Sequence, residues 1–186
     1  MIIGLTGLLG AGKGTATEYI AKKYGAVTKK FSDPIRDIIK RLYQPITREH
    51  MQSLGKYLRS EFNNNNIFAE TLLNDVSQSD QKLIVLEGFR HKDEYQLFRK
   101  RDDFIFVAVE ASLEKRFERV KLRPENVGDQ NLTLEHFKLQ HEFETEQAIP
   151  SLITLADFRL DNNGTPEELI KQIDELMKKL GHEIQS

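Results

Sequence analysis

Residues 7–15 read Gly7-Leu8-Leu9-Gly10-Ala11-Gly12-Lys13-Gly14-Thr15. A short apolar run, Ile2 to Leu5, precedes them, and Lys13 to Tyr24 follows with helical spacing that stops at Gly25. Glycines let a backbone turn tightly and aim its N–H groups at anions. A helix N-terminus adds partial positive charge. The G-x-x-x-x-G-K spacing places Lys13 to reach the outer phosphates of a triphosphate. This strand, loop and helix predict a phosphate loop for a nucleoside triphosphate with Mg²⁺, cradled by Gly7, Gly10, Ala11, Gly12, Lys13, Gly14 and Thr15. The position after the lysine commonly carries the metal-binding hydroxyl, but here it is Gly14, and the hydroxyl comes at Thr15. Water and a carboxylate are therefore expected to share the metal with Thr15.

Outward from the loop, strand and helix patterns alternate. Strands are expected at 2–5, 26–31, 82–86, 104–109 and 158–160. Helices are expected at 13–24, 34–43, 48–62, 67–77, 92–100, 113–122, 134–147 and 166–180. Such alternation predicts a three-layer α/β fold, a parallel five-stranded sheet with helices on both faces, over one domain spanning 1–186. Ligands of such sheets sit beyond the carboxyl ends of the strands. The helical stretch at about 34–78 is too long for a plain crossover and reads as an insertion. The region at about 119–135 reads as a short lid.

Composition narrows the function. The 186 residues are 39% hydrophobic and 30% charged, with a net charge of −2. There is no global basic field, so a nucleic-acid polymer is excluded as the expected partner. With no cysteine, a disulfide scaffold or thiolate metal site is excluded. No apolar run approaches the ~20 residues of a membrane span. No charged leader precedes Ile2, which fits a cytoplasmic protein. No pattern in the chain sets an oligomeric state.

The residues that follow each strand are the candidate site. Phe31-Ser32-Asp33-Pro34-Ile35-Arg36 starts a helix and reads equally as a plain cap. Guanidinium offers paired planar donors, which suit a phosphate, so Arg36 is a candidate with Ser32 and Asp33. Arg59, in Leu54-Gly55-Lys56-Tyr57-Leu58-Arg59, is either a second contact or a solvated helix residue. Leu83-Ile84-Val85-Leu86-Glu87-Gly88-Phe89-Arg90 is a buried strand ending in an acid, a glycine and an arginine. Glu87 is the candidate carboxylate for the metal, with Gly88 and Arg90 on the substrate side. Arg116, Arg119 and Arg123 share one helix face after the fourth strand, as either a salt-bridged surface or a lid. Asn162-Asn163-Gly164 reads as a turn before a capped helix. The five histidines are scattered and read as ordinary residues.

Taken together, the Gly-Lys-Gly-Thr loop, the Ser32 to Arg36 segment, the Gly55 to Arg59 segment and Glu87-Gly88-Phe89-Arg90 resemble the nucleoside monophosphate kinases of the adenylate-kinase type. The likeness covers most of the chain and points to an archaeal adenylate-kinase-related branch, with dephospho-CoA kinase a further relative. The third strand departs from the Asp-Gly-Phe-Pro-Arg pattern by Glu87 for Asp and by lacking the proline. The resemblance implies a P-loop kinase fold with ATP and Mg²⁺ as cofactors and a small-molecule nucleotide as acceptor. It implies that Lys13, Arg119 and Arg123 act on the transferred phosphoryl group, and that Arg36 and Arg90 hold the acceptor phosphate. It implies that Glu87 and Thr15 face the metal and that Asn163 and Gly164 lie against the donor base. Phosphorylation of dephospho-CoA and a slow ATP-hydrolysing regulatory module are the alternative readings.

Overall fold

Ile2–Thr6 forms β1, and all five residues are buried, as a strand covered on both faces requires. The computed structural model describes residues 1–122, 133–139 and 147–182. β1 is the middle strand of a five-stranded sheet. The others are β2 (Val27–Lys30), β3 (Ile84–Glu87), β4 (Phe104–Glu110) and β5 (Phe158–Asp161), in the order β2-β3-β1-β4-β5. Every pairing is parallel. The register sets Leu5 beside Glu87, Lys30 beside Glu87, Thr6 beside Ala108 and Glu110 beside Asp161. Strands β1, β3, β4 and β5 each run one residue further toward the carboxyl edge than the apolar pattern suggests, ending on Thr6, Glu87, Glu110 and Asp161. These polar ends still join the ladders and form the rim where the loops gather.

Two apolar layers flank the sheet. On one face α1 (Lys13–Tyr24) packs with the C-terminal helix Pro166–Lys179, through Ala16, Ile20, Leu169, Ile173, Leu176 and Met177 against Ile3, Leu5, Val85, Val107 and Val109. On the other face the chain runs through α2 (Asp33–Arg41), α3 (Arg48–Glu61), α4 (Ile67–Ser77) and α5 (Lys92–Arg99). Phe31, Leu72, Phe89, Phe98, Phe104 and Phe106 fill the space there. Phe89 sits 4.7–5.8 Å, centroid to centroid, from four other rings. Gly4 on β1 makes this possible, because a Cβ there would fall 2.7 Å from the Phe104 ring. Helices α2 and α4 share a small core of Ile35, Ile39 and Phe68, against which Met51, Leu54 and Leu58 of α3 pack.

After β4 come α6 (Leu113–Lys121) and α7 (Leu134–Leu139), then α8 (Ile149–Thr154); Pro166–Lys179 is α9. The sequence pattern gave no sign of α8. It is one short stretch with a proline in its first turn, held by burying Ile149, Leu152 and Ile153. The expected 134–147 helix is seen as Leu134–Leu139, and residues 140–146 lie outside the described residues.

The far end of α1 is clasped to α9. Tyr19, Lys23 and Tyr24 all donate to the Asp174 carboxylate, at 2.7–2.9 Å. Burial and the neighbouring carboxylate push the Tyr24 hydroxyl up to about 12. Burial works against the Asp174 charge, but the hydrogen bonds from Lys23, Tyr24 and Tyr19 outweigh it and hold the carboxyl below its usual range.

Candidate functional site

The loop after β1 closes by a turn in which Ala11 N–H donates to Leu8 O at 3.1 Å. Gly7, Gly10 and Gly12 have φ of 147°, 81° and 105°. Gly12 is the N-cap of α1 and its backbone is left-handed; the helix has no side-chain cap and no acid in its first turn. No cap side chain and no first-turn acid thus compete for the first N–H groups of α1, as suits an anion site. Lys13 Nζ donates to Gly7 O and, at 3.2 Å, to Leu8 O, which folds the ammonium over the loop. Gly14 is different: a Cβ there would meet nothing within 4 Å. Its missing side chain answers no packing need, and Thr15 beside it is exposed.

β3 delivers Glu87 to the same rim. Alternation puts Leu83, Val85 and Glu87 on the α1 face, and Gly88 at φ 101° turns the chain so that Phe89 plugs the opposite face. Phe89 is 2% exposed, so burial of this ring anchors the turn that leads to Arg90. Glu87 Oε2 faces Lys30 Nζ at 3.6 Å, while Oε1 is buried with no hydrogen-bond partner among the described residues. An orphaned carboxylate oxygen beside a phosphate loop fits one ligand position in a Mg²⁺ shell. Arg90 is placed by its backbone. Its N–H donates to Glu94 Oε2 at 2.7 Å, and His91 N–H donates to the same oxygen at 3.0 Å. Glu94 is buried, caps α5, and carries no signal in the motif reading.

Beyond β2, Lys30 N–H donates to Asp33 Oδ2 at 2.6 Å, so Asp33 braces the start of α2. Arg36 is half-buried one turn on, and among the described residues its side chain makes one hydrogen bond, a 3.5 Å contact from Nε to Ser32 Oγ. Arg59 donates to Gly55 O at 3.3 Å and lies 4.7 Å over the Phe68 ring. It is packed into the α2–α4 core rather than solvated.

Helix α6 corrects the picture of a salt-bridged surface. Arg116 is 5% exposed. It donates to Ala111 O at 3.1 Å and to Leu9 O of the phosphate loop at 3.3 Å, and stacks 5.6 Å over Phe137. Arg119 Nη2 donates to Asn162 O at 2.8 Å and to Asn162 Oδ1 at 3.2 Å, and its Nη1 is buried without a partner among the described residues. A buried unpaired guanidinium nitrogen is costly unless an anion meets it, so Arg119 fits a phosphate. Arg123 lies outside the described residues. Asn163 has local work: Oδ1 accepts from Ser112 N–H at 2.7 Å and Nδ2 donates to Asp161 Oδ1 at 2.5 Å. Gly164 leaves room for the Glu168 carboxylate, which accepts the Thr165 N–H at 2.8 Å. Asn162, Lys30 and Glu94 are the members of the rim that motif reading missed.

A parallel sheet with a phosphate loop after its central strand and arginines on the helix after β4 defines a P-loop kinase-like α/β fold. The chain belongs to the UPF0200 family, and the AAA domain description matches residues 3–147. UPF0200 protein MJ1399 of Methanocaldococcus jannaschii is 32% identical over 182 residues, covering 97% of this chain and 90% of that protein. The UPF0200 protein of Thermococcus sibiricus is 30% identical, covering 97% and 96%. Among solved structures, shikimate kinase from Bacteroides thetaiotaomicron superposes with a TM-score of 0.65 at 16% identity, over 97% of this chain and 98% of that one. Shikimate kinase from Acinetobacter baumannii, in complex with shikimate, gives 0.58 at 16% identity, over 99% and 95%. At such identity the likeness speaks for the fold alone. Among the described residues no helix is long and apolar enough to cross a membrane.

Proposed function

We propose that this chain transfers the γ-phosphoryl group of ATP to a nucleoside or deoxynucleoside monophosphate. The observation that carries the acceptor class is Arg36. A half-buried guanidinium at the carboxyl rim, held among the described residues by a single 3.5 Å contact to Ser32, keeps most of its donors available for a phosphate. Arg90, braced through Glu94, is its counterpart after β3. A monophosphate is already ionised near neutral pH, so the acceptor needs no strong base. This agrees with Asp33 and Glu87, both engaged with Lys30.

On the donor side the phosphate loop and Lys13 hold the triphosphate, and Arg119, with Arg123, faces the transferred group. Glu87 and Thr15 would hold Mg²⁺, which when bound neutralises charge on the triphosphate. Phosphoryl transfer depends chiefly on positioning and charge compensation, and these residues supply both. Asn163 and Gly164 border the donor base through backbone groups.

The test is incubation with ATP and Mg²⁺ against all ribo- and deoxyribonucleoside monophosphates, dephospho-CoA and shikimate, with products separated by chromatography. A diphosphate from one monophosphate, lost in Arg36→Ala, is the expected result. Phosphorylation of only a hydroxyl acceptor would overturn the monophosphate reading. ADP and free phosphate without any acceptor product would replace the kinase with an ATP-driven binding module.

A further inference from the structure

Asn162 touches three parts of the rim. It follows β5, and its N–H donates to Glu110 O at 2.7 Å, which ties it to the end of β4. Its side chain is 5% exposed. Nδ2 donates to Ala11 O at 2.8 Å, inside the phosphate loop. Arg119 Nη2 donates to both the backbone oxygen and Oδ1 of Asn162. The amide thus spends its donor on the loop and its acceptor on the lid helix. Aspartate would keep the acceptor and lose the donor, and alanine would lose both.

Each contact sets the direction of a group that is left over. A trans peptide points its carbonyl and the following N–H in opposite directions. Holding Ala11 O toward Asn162 therefore turns the Gly12 N–H away from it. Gly12 itself has no room for a side chain, because a Cβ there would overlap Asn162 Nδ2. The guanidinium is planar, so two oxygens on Nη2 fix the direction of Nη1, the buried nitrogen without a partner among the described residues.

We infer that Asn162 is a positioning residue of the nucleotide site, which sets the Ala11–Gly12 peptide and the Arg119 guanidinium in one arrangement so that they bind the triphosphate as a unit. The inference rests on the nucleotide reading of the loop given above.

The test measures the affinity of a fluorescent N-methylanthraniloyl derivative of ATP, with Mg²⁺, for the wild type, N162A, N162D, R119A and N162A/R119A. N162A and R119A should each weaken binding by about tenfold to a hundredfold, the scale of hydrogen bonds to charged groups. The double variant should lose clearly less than the product of the two single losses, because Asn162 acts in part through Arg119. N162D should fall between wild type and N162A, since the Arg119 contact survives. It is nearly isosteric, so it carries the comparison with R119A if N162A does not fold. Thermal unfolding confirms that the variants compared are folded. Losses that multiply would overturn the inference, as would an N162A that binds like the wild type. A wild type that does not bind the nucleotide at all would overturn the nucleotide reading itself, and the inference with it.

Discussion

The two halves of the rim are built differently. On the donor half, contacts join residues far apart in the chain. Asn162 reaches Ala11 across 151 positions, and Arg116 reaches Leu9 across 107. On the acceptor half they are local: Arg36 to Ser32 and Arg59 to Gly55 each span four positions. Cross-braced groups cannot move without disturbing the sheet, whereas a helix held by its own turns and a small core opens at lower cost. On the proposed function, the contrast teaches that the nucleotide half would be shaped before any ligand arrives, while the acceptor half would have freedom to adjust around its substrate.

The largest effect should come from the braced half. Lys13→Met should lower phosphoryl transfer by about a thousandfold, the scale of losing a key charge in a preorganised site. Turnover with ATP and the accepted monophosphate measures it, and a loss below tenfold would remove Lys13 from the chemistry. Next, Arg36→Ala should cut kcat/KM for the acceptor by about a hundredfold, as for a charge-assisted pair, and leave ATP affinity alone. If ATP affinity falls equally, the division between halves is wrong. Smaller still is the clasp behind the donor half. Asp174 has a depressed folded pKa, so its contribution is present above the unfolded value near ~4 and is lost as pH falls through the folded value. Asp174→Asn should reduce stability at neutral pH by about 1 kcal/mol or less, since the group is partly solvent-screened, and should flatten the acid limb of a Tm-against-pH plot. An unchanged acid limb would mean the clasp is not a charge effect. Smallest of all, Gly14→Ser meets open space and should move stability by no more than about 0.5 kcal/mol. A large loss in denaturant unfolding would show that the loop needs the glycine's backbone freedom after all.

The sequence revealed what is local and missed what is folded together. The phosphate loop and the five strands follow from spacing within a few residues, whereas Arg36 is a candidate through guanidinium chemistry and a family resemblance. Helix α8 escaped because Ile149-Pro150-Ser151-Leu152 is too short for a helical period and exists by tertiary burial. Arg116 stands on a face that reads as either a salt-bridged surface or a lid, since i, i+3 spacing defines a face without saying what covers it; here Leu9 and Phe137 do. Asn162 sat in an Asn-Asn-Gly stretch whose turn chemistry seemed explanation enough, and only the fold brings it to Ala11. Glu94 belongs to no motif in the sequence, and its hold on the Arg90 N–H comes to light with the fold.

The clasp at the far end of α1 also makes the protein its own optical probe. The chain has no tryptophan, so tyrosine emission is not masked. Two of its five tyrosines donate to one carboxylate, and their light depends on that bond. Tyr24 closes the helix that the phosphate loop begins, roughly 16 Å from its start at helical rise, and Tyr19 lies about midway. A rod fixed at one end reports any tilt imposed at the other, so changes at the loop become readable as changes in fluorescence without a label.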